Sequence, residues 1–146
     1  MNEIVTPFSR VDYDHTLGYL KRGLAGWKTQ SFDVDYIGSI SATKFTDMLA
    51  EGSMEKPVDV RRESEYLSEH VLGVENFPLN LIHSNFAEID PDKEYFLHCK
   101  TGYRSLIATS ILKANGVKVT NARGGYEAIK ECKAALSEFV CPTTML

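Results

Sequence analysis

Segments of strand length and of helix length alternate through most of this chain, and that alternation limits its possible folds more than any other feature. Residues 35–40 hold a short apolar stretch that reads as a strand. Ser41 is placed to cap the helix that follows, in which Phe45, Met48 and Leu49 share one face. Gly52 suits the end of that helix. Residues 56–60 read as a buried strand, 63–70 as a short helix, 74–77 as a strand stopped by Pro78, and 79–86 as a helix. Residues 94–98 form the clearest strand, rich in aromatic and apolar side chains. A glycine-bearing loop then leads into a helix over 105–115, with Leu106, Ile107, Ile111 and Leu112 at helical spacing and Gly116 at its end. Residues 117–120 are the next expected strand, Gly124 and Gly125 a turn, and 126–139 a last helix. Strand and helix in this order imply an α/β fold, a mainly parallel sheet with helices on both faces. Ligands of such sheets sit beyond the carboxyl ends of the strands, and Cys99 directly follows the clearest strand.

The 146 residues suffice for one domain with a real core. Residues 1–34 depart from the alternating pattern and are expected to form a helical N-terminal extension, the tail of a preceding domain if the chain is a fragment; the domain itself spans 35–146. Within the extension, Gly23-Leu24-Ala25-Gly26-Trp27-Lys28 loosely echoes Gly125-Tyr126-Glu127-Ala128-Ile129-Lys130. Tyr19 and Trp27 read as packing residues. A net charge of -4, with no basic stripe, argues against a nucleic-acid binder. No apolar run approaches the roughly 20 residues of a membrane helix, and the start of the chain lacks the pattern of a signal peptide. No membrane association and a cytoplasmic location are therefore expected. Three cysteines at unrelated spacings do not suggest a disulfide framework and fit a reducing compartment. Cys132 and Cys141 read as structural. His15, His70, His83 and His98 contain no His-x-His pair, so no metal site is expected.

The six residues Cys99-Lys100-Thr101-Gly102-Tyr103-Arg104 carry the chemistry. A tight turn through Gly102 can point backbone N–H groups inward as a nest for negative charge. The start of the next helix adds unpaired N–H groups and a positive dipole end. Arg104 supplies a permanent cation, Lys100 a second at the rim, and Tyr103 a side chain for the pocket wall. A free thiol is largely protonated at neutral pH, and only its anion is nucleophilic, so this setting suits Cys99 as a nucleophile. His98 precedes it, but neighbours in a strand point apart, which argues against a Cys–His pair. A cysteine phosphatase or arsenate reductase also places a thiolate in such a loop. Those phosphatases set one residue more between Cys and Arg, leaving room for a tetrahedral oxyanion; the four residues here favour a single sulfur atom.

Taken together, Asp59-Val60-Arg61, the stretch from Glu65 to Pro78, Cys99-x-x-Gly102-x-Arg104-Ser105 and Arg123-Gly124-Gly125 resemble a rhodanese domain in order and separation, over about 41–138. The resemblance implies an open, five-stranded, mainly parallel sheet. It implies that Cys99 takes sulfane sulfur from a donor such as thiosulfate or a small persulfide, holds it as a persulfide, and passes it to cyanide or a thiol. No metal or organic cofactor would be needed. Asp59, Arg61 and Ser105 would support the loop, and Gly124 and Gly125 would allow close backbone approach behind it. The match departs from the family pattern at Glu69, Val74 and Ile129. Residues 13–27, with Gly18-Tyr19-Leu20-x-x-Gly23-Leu24-x-x-Trp27, are similar to the junction preceding rhodanese modules in metallo-β-lactamase-fold fusions, some of which resemble persulfide dioxygenases. That likeness implies a fused or partner metallo-β-lactamase-fold domain, and an alternative role as a persulfide carrier, sensor or docking module.

Overall fold

The computed structural model describes residues 19–141; residues 13–18 of the junction-like segment, and His15 with them, lie outside these. The chain divides into two compact units, Met1–Tyr36 and Ile37–Leu146. In the first, a short helix α1 (Gly23–Thr29) buries none of its residues. Trp27 stacks obliquely on Phe32 with ring centroids 4.6 Å apart, and its indole N–H donates to the Asp33 carbonyl at 2.8 Å.

The second unit runs β1 (Gly38–Ile40), α2 (Ala42–Ala50), β2 (Lys56–Asp59), α3 (Glu63–Ser68), β3 (Glu75–Asn76), two single 3₁₀ turns (Leu79–Leu81 and Phe86–Glu88), β4 (Glu94–His98), α4 (Tyr103–Ala114), β5 (Lys118–Ala122) and α5 (Gly125–Glu131). The five strands form one sheet in the order β1-β5-β4-β2-β3, and every pairing is parallel. Alternation along β4 divides its side chains between the two faces. Phe96 packs with Phe45 of α2 and with Tyr126 and Ile129 of α5, in a cluster completed by Ala42, Val71, Val74 and Ala122. Tyr95 and Leu97 belong to the other face, where α4 covers the sheet with buried Ala108, Ile111 and Leu112. β4 pairs with β2 and β5 and buries all its residues but the first. The Ser41 hydroxyl caps α2 by accepting the Lys44 N–H at 3.1 Å. No described helix is long and apolar enough to cross a membrane.

Three expectations from the pattern need correction. The helix expected over 79–86 is replaced by the two 3₁₀ turns. The Leu79 N–H is drawn to the Val60 carbonyl at the exit of β2, and the Ser84 hydroxyl donates to the Leu81 carbonyl, a local bond that competes with helix propagation. The last helix stops at Glu131 rather than reaching residue 139. Lys133 adopts a left-handed φ of 60°, and the chain then runs extended along 68–72, with Ser137 N–H donating to His70, Leu72 N–H to Ala135 and Val140 N–H to Ser68. α4 starts at Tyr103 instead of Ser105, because Gly102, at a φ of 102°, already serves as its N-cap.

Phe45 is fully buried in the cluster between α2, α5 and the sheet. Phe45→Ala is expected to lower unfolding stability by about 3–5 kcal/mol, measured by urea titration.

Candidate active site

Cys99 lies one residue beyond β4, where the sheet ladder still holds the chain: the Val60 N–H donates to the His98 carbonyl at 2.9 Å. The thiol is almost covered, with Cys99 1% exposed, and its Sγ accepts the Gly102 N–H at 3.2 Å. Behind the loop stands the first turn of α5. The Tyr126 N–H donates to the Cys99 carbonyl at 2.6 Å, and the Glu127 N–H to the Lys100 carbonyl at 3.1 Å. In a planar trans peptide the C=O and the following N–H point in opposite directions. Pinning these two carbonyls toward α5 therefore turns the amides of Lys100 and Thr101 the other way. The first amides of α4 have no acceptor within their own helix, so the loop and the helix start together offer a run of donors.

The glycine pair makes this contact possible. Gly125 has a φ of 61°, and a Cβ there would stand 2.4 Å from the Cys99 carbonyl oxygen and 2.7 Å from that of Lys100. Gly124, at a φ of 79°, comes so near α5 that a Cβ would lie 2.6 Å from the Ala128 Cβ. Ser105 is buried and its hydroxyl donates to the Gly102 carbonyl at 3.1 Å. Lys100, Thr101 and Tyr103 are exposed, while Gly102 and Arg104 are half-buried.

Arg104 is not an open cation. Its Nη1 and Nη2 donate to Glu65 Oε2 and Oε1 at 2.5 and 2.9 Å, a bidentate pair. Hydrogen bonds from Arg104 hold the Glu65 carboxyl below its ordinary value, against the opposing effect of burial. Lys100 Nζ stands 3.7 Å from Glu127 Oε1.

Beneath the loop, Asp59 and Arg61 form a buried knot. Asp59 Oδ1 accepts the Arg61 backbone N–H at 2.9 Å and Oδ2 accepts its Nε–H at 2.7 Å. The guanidinium also donates to the Glu69 carbonyl at 2.9 Å and lies 4.1 Å from the centroid of the Tyr126 ring. Asn76 ties β3 to the knot by donating to the carbonyls of Asp59 and Arg61. Glu69 accepts the Tyr126 hydroxyl and the Lys130 ammonium, which fastens α5 from its outer side. Desolvation first, and the Glu69 contact second, push the Tyr126 phenol upward. Glu69 was visible in the sequence only as a departure from the family pattern, and Glu65 only as part of the matching stretch; no local spacing signals either contact. His98 is fully buried, edge-on to Phe45 with centroids 5.6 Å apart. Its Nδ1 lies 3.4 Å from the Cys99 carbonyl and 3.9 Å from Asp59 Oδ1, while Nε2 has no hydrogen-bond partner. Cys132 is half-buried with Sγ 3.6 Å from the Thr43 hydroxyl, and Cys141 is exposed.

A family model for the rhodanese-like domain matches residues 41–132. The chain belongs to that family. The rhodanese-like fold recurs in a Rhodanese-like Domain Protein from Staphylococcus aureus, 27% identical, with a TM-score of 0.60 over 64% of this chain and 91% of that one. A protein named Sulfurtransferase from Allochromatium vinosum is 28% identical over 93 residues, covering 63% of this chain and 87% of that protein. YqhL of Bacillus subtilis is 35% identical over 71 residues, 48% of this chain. The match takes in only 56% of YqhL.

Gly125→Ala is expected to cost about 2 kcal/mol more than Gly116→Ala. Both glycines have a left-handed φ, but a Cβ on Gly116 meets nothing within 4 Å; parallel urea titrations of the two variants check the difference.

Burial holds the His98 imidazole below its ordinary 6.5, with Asp59 acting the other way. In the window beneath 6.5, the unfolded chain binds a proton at this position that the folded chain does not, so stability falls as pH falls through it. Part of the loss between about pH 7.5 and about pH 5.5 is expected to vanish in His98→Phe. Unfolding free energies at the two pH values test this; an unchanged slope refutes it.

Proposed function

We propose that this domain moves sulfane sulfur through a persulfide on Cys99. The observation that carries the reading is the Gly102 amide on Cys99 Sγ, within a loop whose first two carbonyls are fixed outward by α5. The Sulfurtransferase relative supports it at family level. Donors of this kind stabilise a sulfur anion without a cofactor, and they are in place before any charge develops.

In the first half-reaction the Cys99 thiolate attacks the sulfane sulfur of the donor. A new S–S bond forms at Sγ, and the donor's own bond to that sulfur breaks. The electron pair leaves with sulfite if the donor is thiosulfate, or with a thiolate if it is an organic persulfide. In the second, a thiol or cyanide attacks the outer sulfur of the Cys99 persulfide, and the thiolate of Cys99 returns as leaving group. Sulfur changes hands with no net oxidant. Asp59 and Arg61 act as a brace: they hold the end of β2 and the ring of Tyr126, whose amide anchors the Cys99 carbonyl.

A second reading keeps the persulfide and drops the turnover, making the domain a sulfur carrier within a larger protein, beside a metallo-β-lactamase-fold partner. It is favoured by the exposed apolar side chains of the Tyr19–Tyr36 segment, Leu24 and Phe32 among them.

Treatment with thiosulfate or an organic persulfide is expected to add one sulfur atom to Cys99, read by mass spectrometry, and Cys99→Ser is expected to add none while keeping its fold. Retained sulfur transfer by the serine variant would refute the reading. Release of that sulfur to cyanide or a thiol at catalytic rates supports the enzyme; a stable adduct supports the carrier.

A further inference from the structure

Both cations of the Cys99 loop are already answered by carboxylates. Arg104 is held along two parallel hydrogen bonds by Glu65, and Lys100 stands opposite Glu127. The two pairs differ in kind. Lys100 and Glu127 are both more than half exposed, so their attraction is weak and open to exchange. Arg104 and Glu65 are each about 30% exposed and meet in a fixed fork. Glu65 is also secured independently of Arg104: its Oε2 accepts the Arg62 backbone N–H at 3.2 Å at the start of α3. The carboxylate is thus part of its own helix cap, and it waits for Arg104 rather than following it.

The consequence is a mouth lined by neutral donors and compensated charges. Thiosulfate brings a dianion whose sulfonate is bonded directly to the sulfane sulfur, so both charges arrive within a bond or two of the Cys99 thiolate. An open guanidinium would favour that approach, and here the loop's own is closed. An organic persulfide brings one charge at most, on a sulfur that the loop amides can face.

We propose that Glu65 is a specificity-determining residue: by closing Arg104, it turns the site away from dianionic donors and toward organic persulfides. The proposal rests on the sulfur-transfer reading above. The step it assigns is attack of the Cys99 thiolate on the outer sulfur of R–S–S–H. A new S–S bond forms at Sγ as the donor's one S–S bond breaks, its electron pair leaves on the R–S thiolate, and the persulfide proton stays with the sulfur now on Cys99 or passes to water.

Single-turnover loading of Cys99, followed by mass spectrometry with thiosulfate and with benzyl persulfide, separates the possibilities. In Glu65→Gln the ratio of the thiosulfate rate to the benzyl persulfide rate is expected to rise about five- to tenfold, the effect of freeing one partly screened charge near the reacting sulfur. In Lys100→Gln, which removes the exchangeable cation, the thiosulfate rate is expected not to fall with rising ionic strength, since an open Arg104 would make it fall as salt screens the attraction; this second readout leaves Glu65 in place. Equal losses with both donors in Glu65→Gln would overturn the proposal by making Glu65 a brace alone. So would a drop of the thiosulfate rate in Arg123→Gln with no change of ratio in Glu65→Gln, because Arg123, exposed at the end of β5, would then be the cation that sets donor choice. If neither donor loads wild-type Cys99, the sulfur-transfer reading falls first and the donor preference with it.

Discussion

Two hydrogen bonds hold the candidate site in its working polarity: those from the first amides of α5 to the carbonyls of Cys99 and Lys100. A loop of six residues after a strand can face its dipoles either way. Once the carbonyls are drawn to α5, the peptide planes turn the following N–H groups away from that helix, and the Gly102 N–H meets the thiol. α5 therefore spends the positive end of its own backbone on the loop rather than on a ligand. The rest of the structure serves this contact. Gly125 lets the backbones meet, the Asp59–Arg61 knot supports the Tyr126 ring from below, and Glu69 holds Tyr126 and Lys130 from outside.

The candidate site and the stability of the domain share these residues. Asp59, Arg61 and His98 are buried polar groups at the carboxyl end of the sheet, where an apolar filling would normally cost less. Asp59 and Arg61 satisfy one another and reach the backbone around them. His98 is less well served, since its Nε2 has no partner. Its neutral ring is held between Phe45 and Tyr126, close enough to the Cys99 carbonyl for Nδ1 to add a weak third tether.

What the sequence disclosed was mostly local. The strand at 94–98, the glycine turn and, but for its first turn, the helix after it were legible because apolar spacing and glycine conformation act over a few residues. The mainly parallel, five-stranded sheet followed from alternation and from the likeness to rhodanese domains; the order of its strands did not. The segment 79–86 misled because Leu79, Ile82 and Phe86 stand at helical spacing, while Ser84 and the pull of Val60 on Leu79 are not matters of spacing. The end of α5 was missed for a similar reason: nothing in Lys133-Ala134-Ala135 announces a left-handed turn, and the chain leaves the helix to pair with 68–72. The loop cations were legible as residues but not as pairs, since Glu65 lies 39 positions before Arg104. Their mutual cancellation needs the fold to bring α3 beside the loop.

The two outermost strands are also the shortest, β1 with three residues and β3 with two. An exposed strand margin is where one chain templates another, and length is what makes such templating productive. Here the margins end almost as soon as they begin, and the long apolar strand that orients the thiol is shielded by a neighbour on each side. The arrangement keeps the apolar stretch Tyr95-Phe96-Leu97 away from other copies, and so lets a small open sheet hold Cys99 at its carboxyl end without closing into a barrel.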